Sequence, residues 1–205
     1  FTISSKLSSM YNLFKGIAEE NYDNKLTIID SYSLSSVMLS HVLYAYEEVK
    51  KGTEIEKIVN EIEQRKGTDK LYFVPENLNA LKNGGRVSPT IAAIANTIGI
   101  KPIIVLKDGA LEKDKMIKNT KHAFTDFISE FKTTNPISEY DYILINFDGK
   151  QTTIEYIFEK ANEILGENVL MDGIVPINVC AHCGPGTIGL LVSPKINGKS
   201  IKDYM

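Results

Sequence analysis

The order of the apolar segments constrains the fold of this chain more than any other feature. Residues 124–131 and 154–165 repeat apolar side chains at helical spacing. Between them, a continuous apolar run at residues 142–147 is typical of a buried strand. A similar short run at residues 71–74 precedes further helix-like segments. Strand-like and helix-like segments therefore alternate, and this alternation predicts an α/β fold.

The N-terminal third predicts the end of one strand at Thr2-Ile3, one further short strand and three helices. Residues 26–29 are predicted to form a short strand that leads into a serine-rich helix start. Thr53 and Glu56 are three residues apart and predict a capping box at the start of a further helix. Ahead of these, helical spacing predicts an amphipathic helix that buries one apolar face, made of Leu7, Met10, Tyr11, Phe14, Ile17 and Ala18.

Charged and turn residues at positions 65–70 predict a domain boundary, which divides the chain into residues 1–67 and residues 68–205. In the second part, Asp108-Gly109 predicts the two-residue turn of a β-hairpin. Ser88-Pro89 predicts a helix start, because serine suits the N-cap and proline suits the first helical position.

Composition argues against several classes of protein. The chain has 205 residues, of which 43% are hydrophobic, and a formal net charge of −3. It has no block of lysine and arginine interleaved with aromatic residues, so the footprint of a nucleic-acid-binding protein is absent. It also has no run of about eighteen apolar residues and no basic segment leading into an apolar one, which argues against a membrane span and a secretory signal. We therefore expect a cytoplasmic protein.

Residues 179–189, Val-Cys-Ala-His-Cys-Gly-Pro-Gly-Thr-Ile-Gly, predict an anion site. Glycines let the backbone approach a ligand closely, and the segment is interpreted as a helix start whose unpaired N–H groups face outward. At such a helix start His182 could donate a hydrogen bond or exchange a proton. A carboxylate or a phosphate is the expected ligand, and a tight strand-to-helix connection without a ligand is the alternative.

Two further residues are candidates for binding the same anion. Ser5 lies between a predicted strand end and a helix start, where its hydroxyl could bind an anion or cap the helix. Arg86 lies in a loop after Gly84-Gly85, where its guanidinium could clamp a phosphate or carboxylate, or form a surface ion pair. The sequence leaves both alternatives open.

Cys180 and Cys183 have the spacing of a redox dithiol and of half a zinc site. Each interpretation lacks its second half, because no paired ligands and no long following helix are evident. Buried, inert thiols are therefore the expectation, with a small redox or metal-binding protein as the alternative. Of the other histidines, His41 is expected in the core or at a pocket wall, and His122 at the surface. Neither a Gly-x-Ser-x-Gly motif nor a Walker-type phosphate loop occurs.

Taken in order, five segments of the chain resemble the DegV family, and the resemblance spans residues 1 to about 192. The most specific pieces are Gly-Gly-Arg at residues 84–86 and His-x-Gly-Pro-Gly at residues 182–186. The other pieces are Ser4 to Tyr11, Ile29-Asp30-Ser31, and Ile100 to Ile104 with Asp108-Gly109.

The resemblance implies a two-domain DegV-like α/β architecture. Residues 1–67 would be the C-terminal part of a first domain that is incomplete at its N-terminus, and residues 68–205 a second domain with the lipid-site motifs. The family holds one long-chain fatty acid in an apolar tunnel between the domains. Some members present it to a separate ATP-dependent fatty-acid kinase that makes an acyl phosphate. The expectation is thus a lipid-binding protein, not an enzyme, without cofactor or metal.

Matched position by position, the resemblance implies that Ser5 and His182 bind the fatty-acid carboxylate. It also implies that Arg86 serves the phosphorylation step or the docking of the kinase. Weaker candidates for the same site are Ser4, Ser31, Gly184 and Gly186.

Overall fold

Residues 1–23, 25–87, 91, 99–166, 169–171 and 175–204 are described by a computed structural model. The helices in these ranges are α1 (Met10–Asn21), α2 (Ser35–Lys50), α3 (Ile55–Arg65), α4 (Asn79–Asn83), α5 (Thr120–Thr134), α6 (Gln151–Leu165) and α7 (Ile177–Cys183). The strands are β1 (Lys70–Val74), β2 (Lys101–Lys107), β3 (Ala110–Ile117), β4 (Tyr140–Phe147), β5 (Val169–Met171) and β6 (Thr187–Pro194). A short 3₁₀ helix, Ile201–Tyr204, follows β6. The alternation of elements confirms the predicted α/β class.

The six strands form one sheet in the order β3-β2-β1-β6-β4-β5. Neighbouring strands run antiparallel, except for β4 and β5, which are parallel. The turn between β2 and β3 consists of Asp108 and Gly109, whose φ angles are 47° and 79°. Positive φ at both central residues is the geometry of a type I′ turn, so the predicted hairpin is confirmed.

One face of the sheet is covered by α5 and α6. Tyr142 and Leu144 of β4 point to this face, and they belong to a buried cluster with Phe124 and Ile128 of α5 and Ile157 of α6. Alternate residues of a strand point to opposite faces. The helical spacing seen in the sequence therefore marks the buried sides of both helices correctly.

The opposite face is covered by α2, α4 and α7. Leu71 and Phe73 of β1 and Leu191 of β6 form a second buried cluster with Val37 of α2 and Leu81 of α4. Because α2 precedes the predicted boundary and the strands follow it, this layer joins the two halves of the chain.

Helix α1 differs from the prediction in its start and in its burial. It begins at Met10 rather than near Leu7, and its apolar side chains face solvent, with Leu13 55% exposed and Phe14 41% exposed. Among the residues of α1, Ala18 alone is buried. Periodicity identifies an amphipathic helix but does not show what covers it.

Two further predictions for the first 67 residues are wrong. Residues 25–29 form no regular strand, and the contact there is a single parallel bridge between Thr2 and Asp30. Thr53 does not cap α3, because the helix begins at Ile55 with Glu54 at its N-cap and without a side-chain cap. The Thr53 hydroxyl instead donates a hydrogen bond to Glu48 at 2.8 Å. A capping box needs the threonine at the N-cap, and α3 begins one residue too late for that arrangement.

The glycine pair at residues 84–85 ends a helix, as predicted, since α4 stops at Asn83. The helix start predicted at Ser88-Pro89 lies outside the described residues. None of the helices in the described ranges is both long enough and apolar enough to cross a membrane.

Candidate functional site

An apolar cavity lies between the N-terminal turn, the start of α2 and the sheet face that carries Leu71 and Phe73. Its walls are mainly aliphatic and aromatic and include Ile3, Leu7, Leu34, Leu71, Phe73, Ile145 and Val179. Polar side chains in the lining include Ser8, Ser35, Arg86 and His182. Both halves of the chain contribute to these walls. An elongated apolar ligand with one polar end suits such a lining.

His182 lies in the last turn of α7, next to this cavity. The sequence interpretation of a helix start is therefore wrong: the glycine-rich segment ends a helix and leads into β6. Gly184, with φ 77°, is the residue that terminates α7. The Thr187 hydroxyl then donates to the carbonyls of Cys183 and Gly184 at 3.0 and 2.8 Å, which fixes the turn. His182 is consequently not surrounded by the free N–H groups of a helix start.

Close packing of α4 against α7 sets the position of the His182 ring. A Cβ atom placed on Gly84 would lie 2.5 Å from Nδ1 of His182, closer than Cβ atoms approach a non-bonded heavy atom. A side chain at residue 84 would therefore displace the imidazole. The Gly-Gly-Arg and His-x-Gly-Pro-Gly segments, about a hundred residues apart in the sequence, meet at this contact.

Arg86 lines the same cavity as His182, and it is exposed. Its Nη1 donates a hydrogen bond to the Gly84 carbonyl, and its Nε donates to the Leu7 carbonyl at 3.4 Å. Among the described residues, no carboxylate forms an ion pair with Arg86. The guanidinium therefore keeps donors for a ligand at the cavity mouth.

Ser5 lies apart from His182, in a neighbouring polar hollow that also includes Ser31, Ser33 and His41. Its backbone N–H donates to Asp30 Oδ1 at 3.1 Å. The two residues predicted to share a carboxylate thus line adjacent hollows rather than one.

The weaker candidates are placed as follows. Ser4 is fully buried and its hydroxyl donates to the Gly109 carbonyl at 2.6 Å, so it ties the N-terminal turn to the hairpin. The Ser31 hydroxyl donates to the Ser33 carbonyl at 3.2 Å. Gly186, with φ 84°, lines a lysine-rich hollow next to Glu76 instead of the apolar cavity.

Sequence reasoning did not single out Ser8 and Ser35, although both line the apolar cavity with His182. The Ser35 hydroxyl is buried and makes no hydrogen bond within the described residues. Its backbone has φ 55°, a left-handed conformation that is uncommon for residues other than glycine. The sequence shows a serine-rich helix start here but gives no signal for that conformation.

Cys180 and Cys183 are both free thiols, and Cys183 is buried against the apolar cavity. Loss of hydration on burial raises the pKa of each thiol above its usual range. A thiolate is the reactive form of cysteine, so this environment disfavours nucleophilic and redox chemistry. Within the described ranges, no three His, Cys, Asp or Glu side chains are grouped as metal ligands.

Comparison with known proteins gives consistent matches. A family model described as "Uncharacterised protein, DegV family" matches residues 1–195. A DegV domain-containing protein of Staphylococcus aureus is 31% identical over 200 residues, which cover 94% of this chain and 69% of that protein.

Two solved structures share the fold. The fatty-acid-binding DegV family protein of Streptococcus agalactiae has a TM-score of 0.81 at 22% identity, covering 94% of this chain and 68% of its own. A stearic-acid-binding protein of Eubacterium ventriosum has a TM-score of 0.78 at 20% identity, covering 96% and 70% respectively. At these identities the likeness is one of fold.

Proposed function

This chain belongs to the DegV family, and on that premise we propose that it binds one long-chain fatty acid in its apolar cavity. The observation that carries the proposal is the lining, which is apolar along Leu71, Phe73 and Ile145 and has Arg86 and His182 among its polar members. The relatives of known structure that are described as binding fatty acids support it.

The hydrocarbon tail supplies most of the proposed affinity. Burial of a methylene group is worth about 0.8 kcal/mol, so a tail of about fifteen carbons gives on the order of 12 kcal/mol of gross transfer free energy. Hydrogen bonds to a charged head group add about 1.5–3 kcal/mol each. The polar residues therefore serve mainly to orient the acid, while the apolar walls hold it.

His182 and Arg86 are the proposed contacts of the carboxylate at the cavity mouth, because both line the same cavity and both can donate hydrogen bonds. Ser8, on the same N-terminal turn as Ser5, is added to this set. Ser5 itself contacts the acid only if the head group reaches the adjacent polar hollow. The carboxylate of Asp30, which accepts the Ser5 N–H, makes that hollow less favourable for a second anion.

We further propose that the protein acts as a carrier whose bound acid is modified by a separate ATP-dependent fatty-acid kinase. The sequence has no Walker-type loop, so the phosphate donor is assigned to the partner. Arg86 is the residue proposed to contact the partner or the transferred phosphate, and its exposure beside the cavity supports that role.

Mass spectrometry of lipid that copurifies with the protein tests the binding proposal. A fatty acid at near one equivalent is expected, and palmitate is expected to bind more tightly than hexadecanol, which lacks the carboxylate. The H182A variant should narrow that difference while it retains the tail contribution. Absence of lipid, together with no binding of added palmitate, would refute the proposal. The carrier role is tested separately by measuring acyl-phosphate formation by a purified kinase. The rate with the R86Q variant is compared with the rate with the wild-type protein.

A further inference from the structure

Four lysines line one hollow at an end of the central sheet. Lys101 stands at the start of β2, Lys118 follows β3, Lys121 is in the first turn of α5, and Lys150 immediately precedes α6. Glu76 is the single carboxylate in the described lining. Three separate segments thus bring four like charges together, which is unfavourable unless an anion is present.

The charge of this hollow is only partly balanced from within. Lys101 pairs with Glu76, and the Lys121 ammonium lies 4.8 Å from the centre of the Tyr156 ring. Lys118 and Lys150 are exposed, and the described residues offer neither of them an ion pair or a hydrogen bond to its side chain. At least two ammonium groups are therefore available to a ligand.

Uncharged donors line the same hollow. Thr120 and Thr153 belong to the lining, and neither hydroxyl makes a hydrogen bond to another described residue. Each threonine lies in the first turn of a helix, α5 or α6, where backbone partial charge is positive. Gly186 closes the wall, because its N–H donates to the Phe147 carbonyl at 2.7 Å and its lack of a side chain leaves room for Glu76.

We propose that this hollow binds a phosphate or diphosphate group. Several ammonium groups and two hydroxyls suit a compact anion with more than one negative charge and many acceptor oxygens, for which lysine acts as a point charge. The lining includes Val74 and Ile188, which belong to the sheet face covered by α5 and α6. The site is therefore separated by the sheet from the apolar cavity, and it stands independently of fatty-acid binding.

Isothermal titration calorimetry with inorganic pyrophosphate at fixed salt concentration tests the site. The double variant K118Q/K150Q removes the two unpaired ammonium groups at exposed positions, and we expect it to weaken binding by about tenfold or more. The double variant K113Q/K202Q makes the same change in net charge at exposed lysines outside the hollow and should leave the affinity within about twofold.

The source of the group is distinguished by a parallel titration with ADP. Tighter binding of ADP than of pyrophosphate, lost in K118Q/K150Q, assigns the site to a nucleotide, and equal binding assigns it to a free diphosphate. No measurable binding of either compound to the wild type overturns the proposal, as does equal weakening by the two double variants. Palmitate binding should be the same in all three proteins, which keeps this outcome separate from that of the fatty-acid proposal.

Discussion

His41 and Asp69 form a buried pair that fastens α2 to the sheet: Nε2 of His41 lies 3.0 Å from Oδ2 of Asp69, and their side chains are 1% and 6% exposed. The second carboxylate oxygen accepts a hydrogen bond from the Ser193 hydroxyl of β6 at 2.5 Å. Asp69 therefore links a helix of the N-terminal half to a strand near the end of the chain.

Replacement of Asp69 by alanine should destabilise the protein by about 3 kcal/mol, because it leaves two buried donors without an acceptor and each costs about 1–3 kcal/mol. Urea denaturation measures the change in the free energy of unfolding. The matched control is D126A, at an exposed position of α5, with an expected effect within about 0.5 kcal/mol. Equal effects of the two substitutions would contradict this role for Asp69.

Glu48 should contribute an acid-sensitive part of the stability. Its carboxylate accepts hydrogen bonds from Lys51 at 2.6 Å and Thr53 at 2.8 Å, and these bonds lower the pKa of Glu48 from 4.5 to about 2. The unfolded chain therefore binds the proton more readily than the folded one. This stabilisation is complete above about pH 4.5 and is lost as the pH falls toward 2.

The substitution E48Q should flatten the dependence of unfolding free energy on pH between 4.5 and 2. Circular dichroism during urea titration at a series of pH values measures that slope. E20Q, at an exposed position of α1, should leave the slope as in the wild type. A wild-type slope in E48Q would show that the carboxylate is not the titrating group.

Filling the apolar cavity should exclude the lipid without unfolding the protein. Val179 lines the cavity, and V179F adds bulk there, which should cost about 1–3 kcal/mol of binding free energy, an affinity loss of about 5- to 150-fold. Ile177, two residues earlier on α7, is 87% exposed, and I177F is the control with unchanged affinity. Fluorescence titration with a labelled fatty acid measures both. Wild-type affinity in V179F would place the tail elsewhere.

Replacing a glycine by alanine should have a different effect at each of two positions: G16A should change the stability, and G84A should change the binding of lipid. Gly16 lies in α1 with open space around it, so G16A should stabilise the protein by about 0.5–1 kcal/mol. G84A would force the His182 ring from its place, and it should weaken binding of palmitate more than binding of hexadecanol. Thermal unfolding and lipid titration distinguish the two effects. An unchanged palmitate-to-hexadecanol preference in G84A would argue against His182 as a carboxylate contact.

The parts of the fold that were predicted correctly depend on local signals. The Asp108-Gly109 turn and the buried sides of α5 and α6 follow from dihedral preferences and helical spacing. The exposure of Phe14 was not predictable in this way, because a periodic pattern does not show what packs against it.

The site was predictable in part. The residues flagged by the family motifs include His182 and Arg86, which do line one cavity. Three features of the site depend on contacts between segments that are distant in the sequence. These are the packing of the two residues, the position of His182 at the end of a helix rather than at its start, and the role of Ser35. His41 and Asp69 are 28 residues apart, and the periodicity of the sequence likewise does not predict that they form a pair.

The last strand of the sheet, β6, lies between β1 and β4 and hydrogen-bonds to both. During synthesis on the ribosome, β1 and β4 consequently keep their inner edges unpaired until residues 187–194 have left the exit tunnel. Completion of the sheet thus depends on the synthesis of β6, and a premature stop ahead of Thr187 would release a polypeptide with two unpaired strand edges that are prone to aggregation.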